Sequence, residues 1–185
     1  ELVTFAGNND VLGLVIASGA DHIILEDSKL SIRSYTNDFI VSNFDKIKRM
    51  AEFARKLNPK IRLSFNLDLI VRQKHFPLIE NCLDALIESG IYTIRIMDIG
   101  LCSWIREKIP NAEIHLATEM GNNNIESVRF HRDVLKIKRQ VFTNEMISGD
   151  MQEIIKEFGG EFEFQVHGPI LIQYTDRRLM AGALI

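Results

Sequence analysis

Short apolar runs rich in β-branched residues alternate along the chain with longer segments whose apolar positions recur every three to four residues. The short runs predict strands at residues 2–6, 22–26, 61–67, 93–99, 113–118, 139–143 and 161–166. The segments between them predict amphipathic helices. Ile47, Met50, Ala51, Phe53 and Ala54 form one apolar stripe, with Lys46, Lys48, Arg49 and Arg55 largely off it. Leu78, Ile79, Cys82, Leu83, Leu86 and Ile87 form a second, closed by Gly90 as the expected C-terminal cap. Ile154, Ile155 and Phe158 form a third, stopped by Gly159 and Gly160. Asp45 and Ser148 are the expected N-caps.

Alternation of this regularity implies parallel strands joined by crossover helices. Two architectures compete, a doubly wound sheet and a (β/α) barrel. The first strand runs into Ala6-Gly7-Asn8-Asn9, which is not a GxGxxG fingerprint and argues against a dinucleotide-binding sheet. Seven strands, each followed by a helix or turn, fit a barrel. A complete barrel has eight strands and typically about 250 residues. The chain has 185 residues and ends near where an eighth strand should begin. The expected fold is therefore α/β, a TIM-like (β/α) barrel incomplete or truncated before its eighth strand. Residues 1–185 are expected to form a single domain that lacks a C-terminal portion or is closed by another chain.

Composition narrows the function classes. The content is 46% hydrophobic and 25% charged, enough for a core without staples. A net charge of -3 and a pI near 6.0 lack the basic excess of a dedicated nucleic-acid binder, although local RNA contact stays open. Cys82 and Cys102 are too few and too far apart for a metal motif, and are expected as buried thiols in a reducing compartment. No stretch approaches the roughly 20 apolar residues of a membrane span, and no signal peptide precedes the first strand. Glu1 in place of an initiator methionine points to a processed or trimmed chain, and the cytoplasm is the expected location.

Chemistry in parallel barrels collects where the strands end. Those ends read Asn8, Glu26 with Asp27, Asn66 with Asp68, Asp98, Thr118 with Glu119, Asn144 with Glu145, and His167. Polar residues at loop starts also cap helices, so the ring matters more than any one member. Glu26, Asp98, Glu119, Glu145 and His167 could hold a hard divalent metal, or share protons for acid–base work. Glu119, Glu145 and His167 are the candidate catalytic residues. Asn8, Glu26, Asn66, Asp98 and Arg178 are the candidate substrate-binding residues. His115, inside a strand, is expected in the core or a second layer; His22, His75 and His131 are expected at the surface or on helices. No nucleophile elbow, HExxH or P-loop is present. Gln165-Val166-His167-Gly168-Pro169 marks a turn, and Arg177-Arg178 could grip a carboxylate or phosphate.

Several of these stations resemble peptidase family U-32. Glu1-Leu2 through Ala6-Gly7-Asn8 and then Ser18-Gly19-Ala20-Asp21 are similar to that family's opening. Leu30-Ser31-Ile32-Arg33, Asn43-Phe44, His115-Leu116-Ala117-Thr118, Arg139 through Glu145, and Glu163 with His167-Gly168 follow in the family's order. The resemblance spans essentially the whole chain and implies a barrel-like domain. It implies a choice among collagenase-like peptidases and proteins that hydroxylate RNA bases or a ubiquinone precursor with an iron–sulfur cluster held by four cysteines. The departures fall on that chemistry. Leu171 and Arg178 occupy the signature's cysteine positions. Gln165, Pro169, Asp176 and Ala181 replace its Phe, small, Gly and Ser residues; Glu119 and Asn144 replace a Gln and an Arg at strand ends. Leucine and arginine cannot ligate iron as thiolates do, so no cofactor is expected and an iron–sulfur cluster least of all.

Three functions follow. The first is an accessory subunit in a hydroxylation or RNA-modification system, partnered with a protein of the same family. The second is a metal-dependent peptidase, and the third a non-catalytic small-molecule binding domain. The substrate (peptide, RNA or small molecule) stays open, and no membrane partner is expected.

Overall fold

The computed structural model describes residues 1–32, 43–117 and 124–168. Seven strands form one parallel sheet in strictly sequential order: β1 (Val3–Phe5), β2 (His22–Glu26), β3 (Arg62–Leu67), β4 (Thr93–Ile96), β5 (Glu113–Leu116), β6 (Arg139–Val141) and β7 (Glu161–Glu163). A doubly wound sheet reverses its order at a switch point, and this one never does. The fold is an incomplete (β/α) barrel. Whether an eighth strand follows concerns residues 169–185, which lie outside the described residues.

Helices α1 (Asn9–Ala17), α2 (Phe44–Leu57), α3 (Phe76–Glu88), α4 (Leu101–Lys108), α5 (Ile125–Asp133) and α6 (Ser148–Phe158) occupy the crossovers. Their apolar stripes meet the outward residues of the strands. Ile23, Leu25, Phe65, Leu67, Ile94, Ile96, Ile114 and Leu116 pack with Ile47, Met50, Ala54, Ile79, Leu83, Leu86 and Ile105 in one core. A second cluster of Val128, Phe142, Met146 and Ile154 sits under α5 and α6, where the Phe142 and Phe162 rings stack at 5.0 Å. Cys82 and Cys102 are free and buried in this helix–sheet layer, as their segments implied. Among the described residues no helix is long and apolar enough to cross a membrane.

Local chemistry sets the element ends, with two corrections to the expected caps. The N-cap of α2 is Asn43, whose side-chain oxygen accepts from the Lys46 amide at 3.1 Å. Asp45 sits in the first turn, where its charge suits the positive helix end. Ser148 is the first helical residue of α6, and Ile147 at the cap position offers no side-chain acceptor. Gly90 does follow α3 with φ +64, the left-handed value a glycine adopts without steric cost.

Three arginines tie neighbouring helices together. Each reaches from one helix to the unsatisfied carbonyls at or just beyond the end of the next. Arg55 of α2 donates to Ser89 O at 2.7 Å and Gly90 O at 3.0 Å. Arg106 of α4 donates to Leu135 O at 2.6 Å and Lys136 O at 2.9 Å, just past α5. Arg132 of α5 donates to Phe158 O at 3.3 Å and Gly159 O at 2.7 Å, with its guanidinium 4.8 Å from the Phe162 ring. The last carbonyls of a helix lack partners and carry partial negative charge, so a guanidinium there is favourable twice over.

Arg132→Ala should therefore lower stability by about 1–3 kcal/mol, seen as a reduced urea midpoint at constant m. Gly160→Ala should also destabilise: a Cβ there would lie 2.6 Å from Arg132 Nη2, and φ is +81.

Candidate functional site

Side chains alternate across each strand, so the residues between the outward apolar ones point into the lumen. These are His22, Ile24 and Glu26; Arg62, Ser64 and Asn66; Thr93 and Arg95; Glu113 and His115; Arg139 and Val141; Glu161 and Glu163. Branched apolar side chains usually fill a barrel lumen. Here its lower part, where the strands begin, holds an ion network. Arg62 bonds Glu113 at 2.8 Å and Glu1 at 3.2 Å. Arg139, only 4% exposed, bonds Glu161 at 2.5 Å, Glu163 at 3.5 Å and also Glu1. Arg95 pairs with Glu163 at 2.5 Å. These contacts link β6 to β1 and β4 to β7, which only a curled sheet permits.

Two histidines complete the network, and the sequence placed one of them wrongly. His22 was expected at the surface or on a helix but lies in β2 and is 1% exposed, with Nδ1 3.4 Å from Arg139 Nη1. His115 is equally buried, as expected, and its Nε2 lies 2.8 Å from Glu113 Oε1. The two rings meet edge to face at 5.8 Å. Burial, reinforced by Arg139 and His22, pushes the His115 pKa down to about 3. Burial also pushes His22 down to about 4, against the pull of Glu1. Both imidazoles are thus neutral near pH 7, and His115 Nε2–H donates to Glu113. Burial raises the Glu1 and Glu161 carboxyls, but the hydrogen bond and charge of Arg139 outweigh it and hold both below the usual range. His131, also expected on a surface or helix, lies on α5 but is buried against Gln140 at 3.2 Å.

Glu113, His115 and Glu161 place ligand-type atoms within 4.8 Å of one another. Arg62 and Arg139 already hold the two carboxylates, so guanidinium groups neutralise the charge that a metal would otherwise neutralise.

A cavity of about 1440 Å³ runs from this network to the rim where the strands end. Glu26, Asp68, Asn144, Gln165 and His167 line it at the rim, and Arg95, Met97 and Val141 are also in its lining. The rim residues named from sequence divide accordingly. Glu26 and His167 face the cavity; His167 is exposed. Asn66 is 1% exposed, beside Glu26 in the register of β2 and β3. Asn8 caps α1 by accepting from Val11 N at 2.9 Å. Asp98 accepts from Gly100 N at 2.9 Å in the turn before α4. Glu145 is exposed and lies outside the cavity lining. Glu119 and Arg178 lie outside the described residues.

The lumen network went unread in the sequence, although a signal existed. Strands buried on both faces of a parallel sheet should be almost continuously apolar. Polar residues at every second position of β3, β5 and β7 mark a face that packs against something other than helices.

The profile of peptidase family U32 matches residues 7–184. The chain belongs to peptidase family U32. This U32 chain is 26% identical over 182 residues to tRNA hydroxylation protein P1 of Bacillus subtilis, covering 98% of the chain and 42% of that protein. It is 27% identical over 190 residues to tRNA hydroxylation protein P of Escherichia coli, covering 98% and 39%. It is 26% identical over 145 residues to a collagenase of Porphyromonas gingivalis, covering 76% and 33%. The chain thus spans about two fifths or less of these relatives. Among solved structures, 2,3-dimethylmalate lyase aligns with TM-score 0.60 at 11% identity, covering 90% of this chain and 68% of that one. At that identity the likeness speaks for the barrel alone.

An iron–sulfur cluster does not fit the thiols of this U32 chain. Cys82 and Cys102 are buried among helix–sheet contacts outside the lumen, and burial raises both thiol pKa values. A thiolate ligand needs the opposite environment.

The neutral histidines make the fold acid-sensitive. Their folded pKa values lie below the unfolded value, so the unfolded chain binds more protons as pH falls below about 6.5. Stability should drop between pH 6.5 and 4, by up to about 1.4 kcal/mol per pH unit for each histidine. Thermal unfolding across that range should show the loss, and His115→Gln should flatten it.

Proposed function

We propose that this chain is the barrel of an RNA-hydroxylation protein that works as an accessory subunit, with the redox centre on a partner of the same family. The observation that carries this reading is similarity along 98% of the chain to proteins named for tRNA hydroxylation, combined with Leu171 and Arg178 where the family's signature has cysteines. The lumen supports it. Its arginines are committed to ion pairs that hold the barrel, and the rim offers carboxylates and amides suited to binding. The residues proposed to contact a substrate are Asn8, Glu26, Asn66, Asp98 and Arg178. Isolation of the tagged full-length protein from its own cells without oxygen should yield a stoichiometric family partner that carries the iron. Deletion of its gene should lower hydroxylated nucleosides in tRNA. A lone, iron-free protein with unchanged tRNA overturns the proposal.

Similarity to the Porphyromonas collagenase supports a second reading, a metal-dependent peptidase using Glu119, Glu145 and His167. It requires peptide cleavage that a chelator abolishes and that His167→Ala reduces at least about tenfold, the low end for loss of an acid–base group. Cleavage indifferent to chelator, or none, removes it.

A further inference from the structure

The two ends of the sheet face each other across a gap. Among the described residues β1 pairs only with β2, and β7 only with β6. The cavity enters this gap from both sides of the sheet. Val3 and Phe5 are register partners of His22 and Ile24 and share their lumen face, whereas Thr4 partners Ile23, which packs against the helices. Val3, Thr4 and Phe5 all line the cavity. On the other bank Glu161 and Glu163 line it together with Phe162, which packs against the cluster under α5 and α6. A void lined by both faces of both edge strands passes between them, so apolar packing does not seal the gap. The unit on its near bank is also weakly anchored. All of β1 is half-buried, and α1 buries Leu12 alone, with Val11 and Leu14 exposed. Segments with few buried apolar contacts open at the lowest free energy.

Charge spans the gap. Glu1, just before β1, bonds Arg139 of β6, and Arg62 reaches Glu1 at 3.2 Å and Glu161 of β7 at 3.6 Å. His22 lies beneath this clasp, with Nδ1 3.4 Å from Arg139 Nη1 and 3.8 Å from Glu1 Oε1. The other groups that face it are Arg62 on β3, the His115 ring on β5 and Glu163 on β7. Its Nε2 is buried without a hydrogen-bond partner among the described residues.

We propose that β1 and α1 detach as one unit before the rest of the barrel unfolds, released at the Glu1–Arg139 clasp, and that His22 couples the release to uptake of a proton. In the closed state burial, against the pull of Glu1, holds the His22 pKa down to about 4. Detachment of β1 hydrates the ring and returns it toward about 6.5. The open state then binds more protons, and acid favours it between those two values. The device does not depend on the accessory-subunit reading, because it concerns the scaffold and not the location of iron.

The test is native-state hydrogen exchange of the full chain, read over β1–α1 and over β3–β4 at low urea, at pH 7 and pH 5, with rates corrected for intrinsic exchange. The β1–α1 amides are expected to exchange faster than those of β3–β4 and with little dependence on urea. Their opening constant should rise at least about tenfold from pH 7 to pH 5, and His22→Gln should remove that rise. Glu1→Gln should raise it at least about tenfold at pH 7, while β3–β4 stays protected and so shows that the variant folds. Exchange of β1–α1 at the rate and urea dependence of β3–β4 overturns the proposal, because the chain then opens only as a whole. An acid response that survives His22→Gln overturns the proton coupling, and unchanged exchange in Glu1→Gln overturns the clasp.

Discussion

The buried guanidinium of Arg139 is the contact on which the curl of this sheet depends. It stands on β6 and reaches Glu1 beside β1, Glu161 and Glu163 on β7, and the His22 ring on β2. Arg62 and Arg95 extend the same arrangement to β5 and β7. Four glutamates face three arginines around two neutral imidazoles, so charge is nearly balanced without metal. Ions taken out of water are costly unless every charge is matched, and breaking one buried pair typically costs about 3–5 kcal/mol. The network is therefore better understood as specifying closure than as adding stability that apolar packing could not supply.

That commitment divides the lumen by role. The lower part is occupied by ion pairs and holds the strands in register across the gap between β1 and β7. The upper part, at the strand ends, keeps carboxylates and amides facing a cavity. Barrels usually place stability at one end and chemistry at the other, and this chain follows that division with charged rather than apolar residues at the stable end. The arginine clamps among the helices use the same side chain for a related purpose, neutralising the negative ends of neighbouring helices on the outer ring.

The chain belongs to the U32 family, and its two cysteines are buried. A scaffold related to tRNA hydroxylation proteins is retained along the chain, while the thiols it does contain are sequestered in the helix–sheet layer.

Much of the architecture was readable from residue order alone. Alternating strand and helix periods, the stripe from Ile47 to Ala54 and Gly90 at a helix end are local properties, written within a few residues of where they act. The network was not, because Glu1 and Arg139 meet across 138 positions of sequence and only curvature brings them together. Alternation shows that a strand has two faces. It does not say which faces helices and which faces the other strands, so His22 read as a surface or helix residue and proved buried in a strand. Likewise residue order could not say that Asp98 would accept from Gly100 N in the turn before α4, or that Glu145 would be exposed. The sequence by itself determined the elements and their order. The tertiary structure decided which polar residues share a lumen, because that depends on the direction in which the sheet curls.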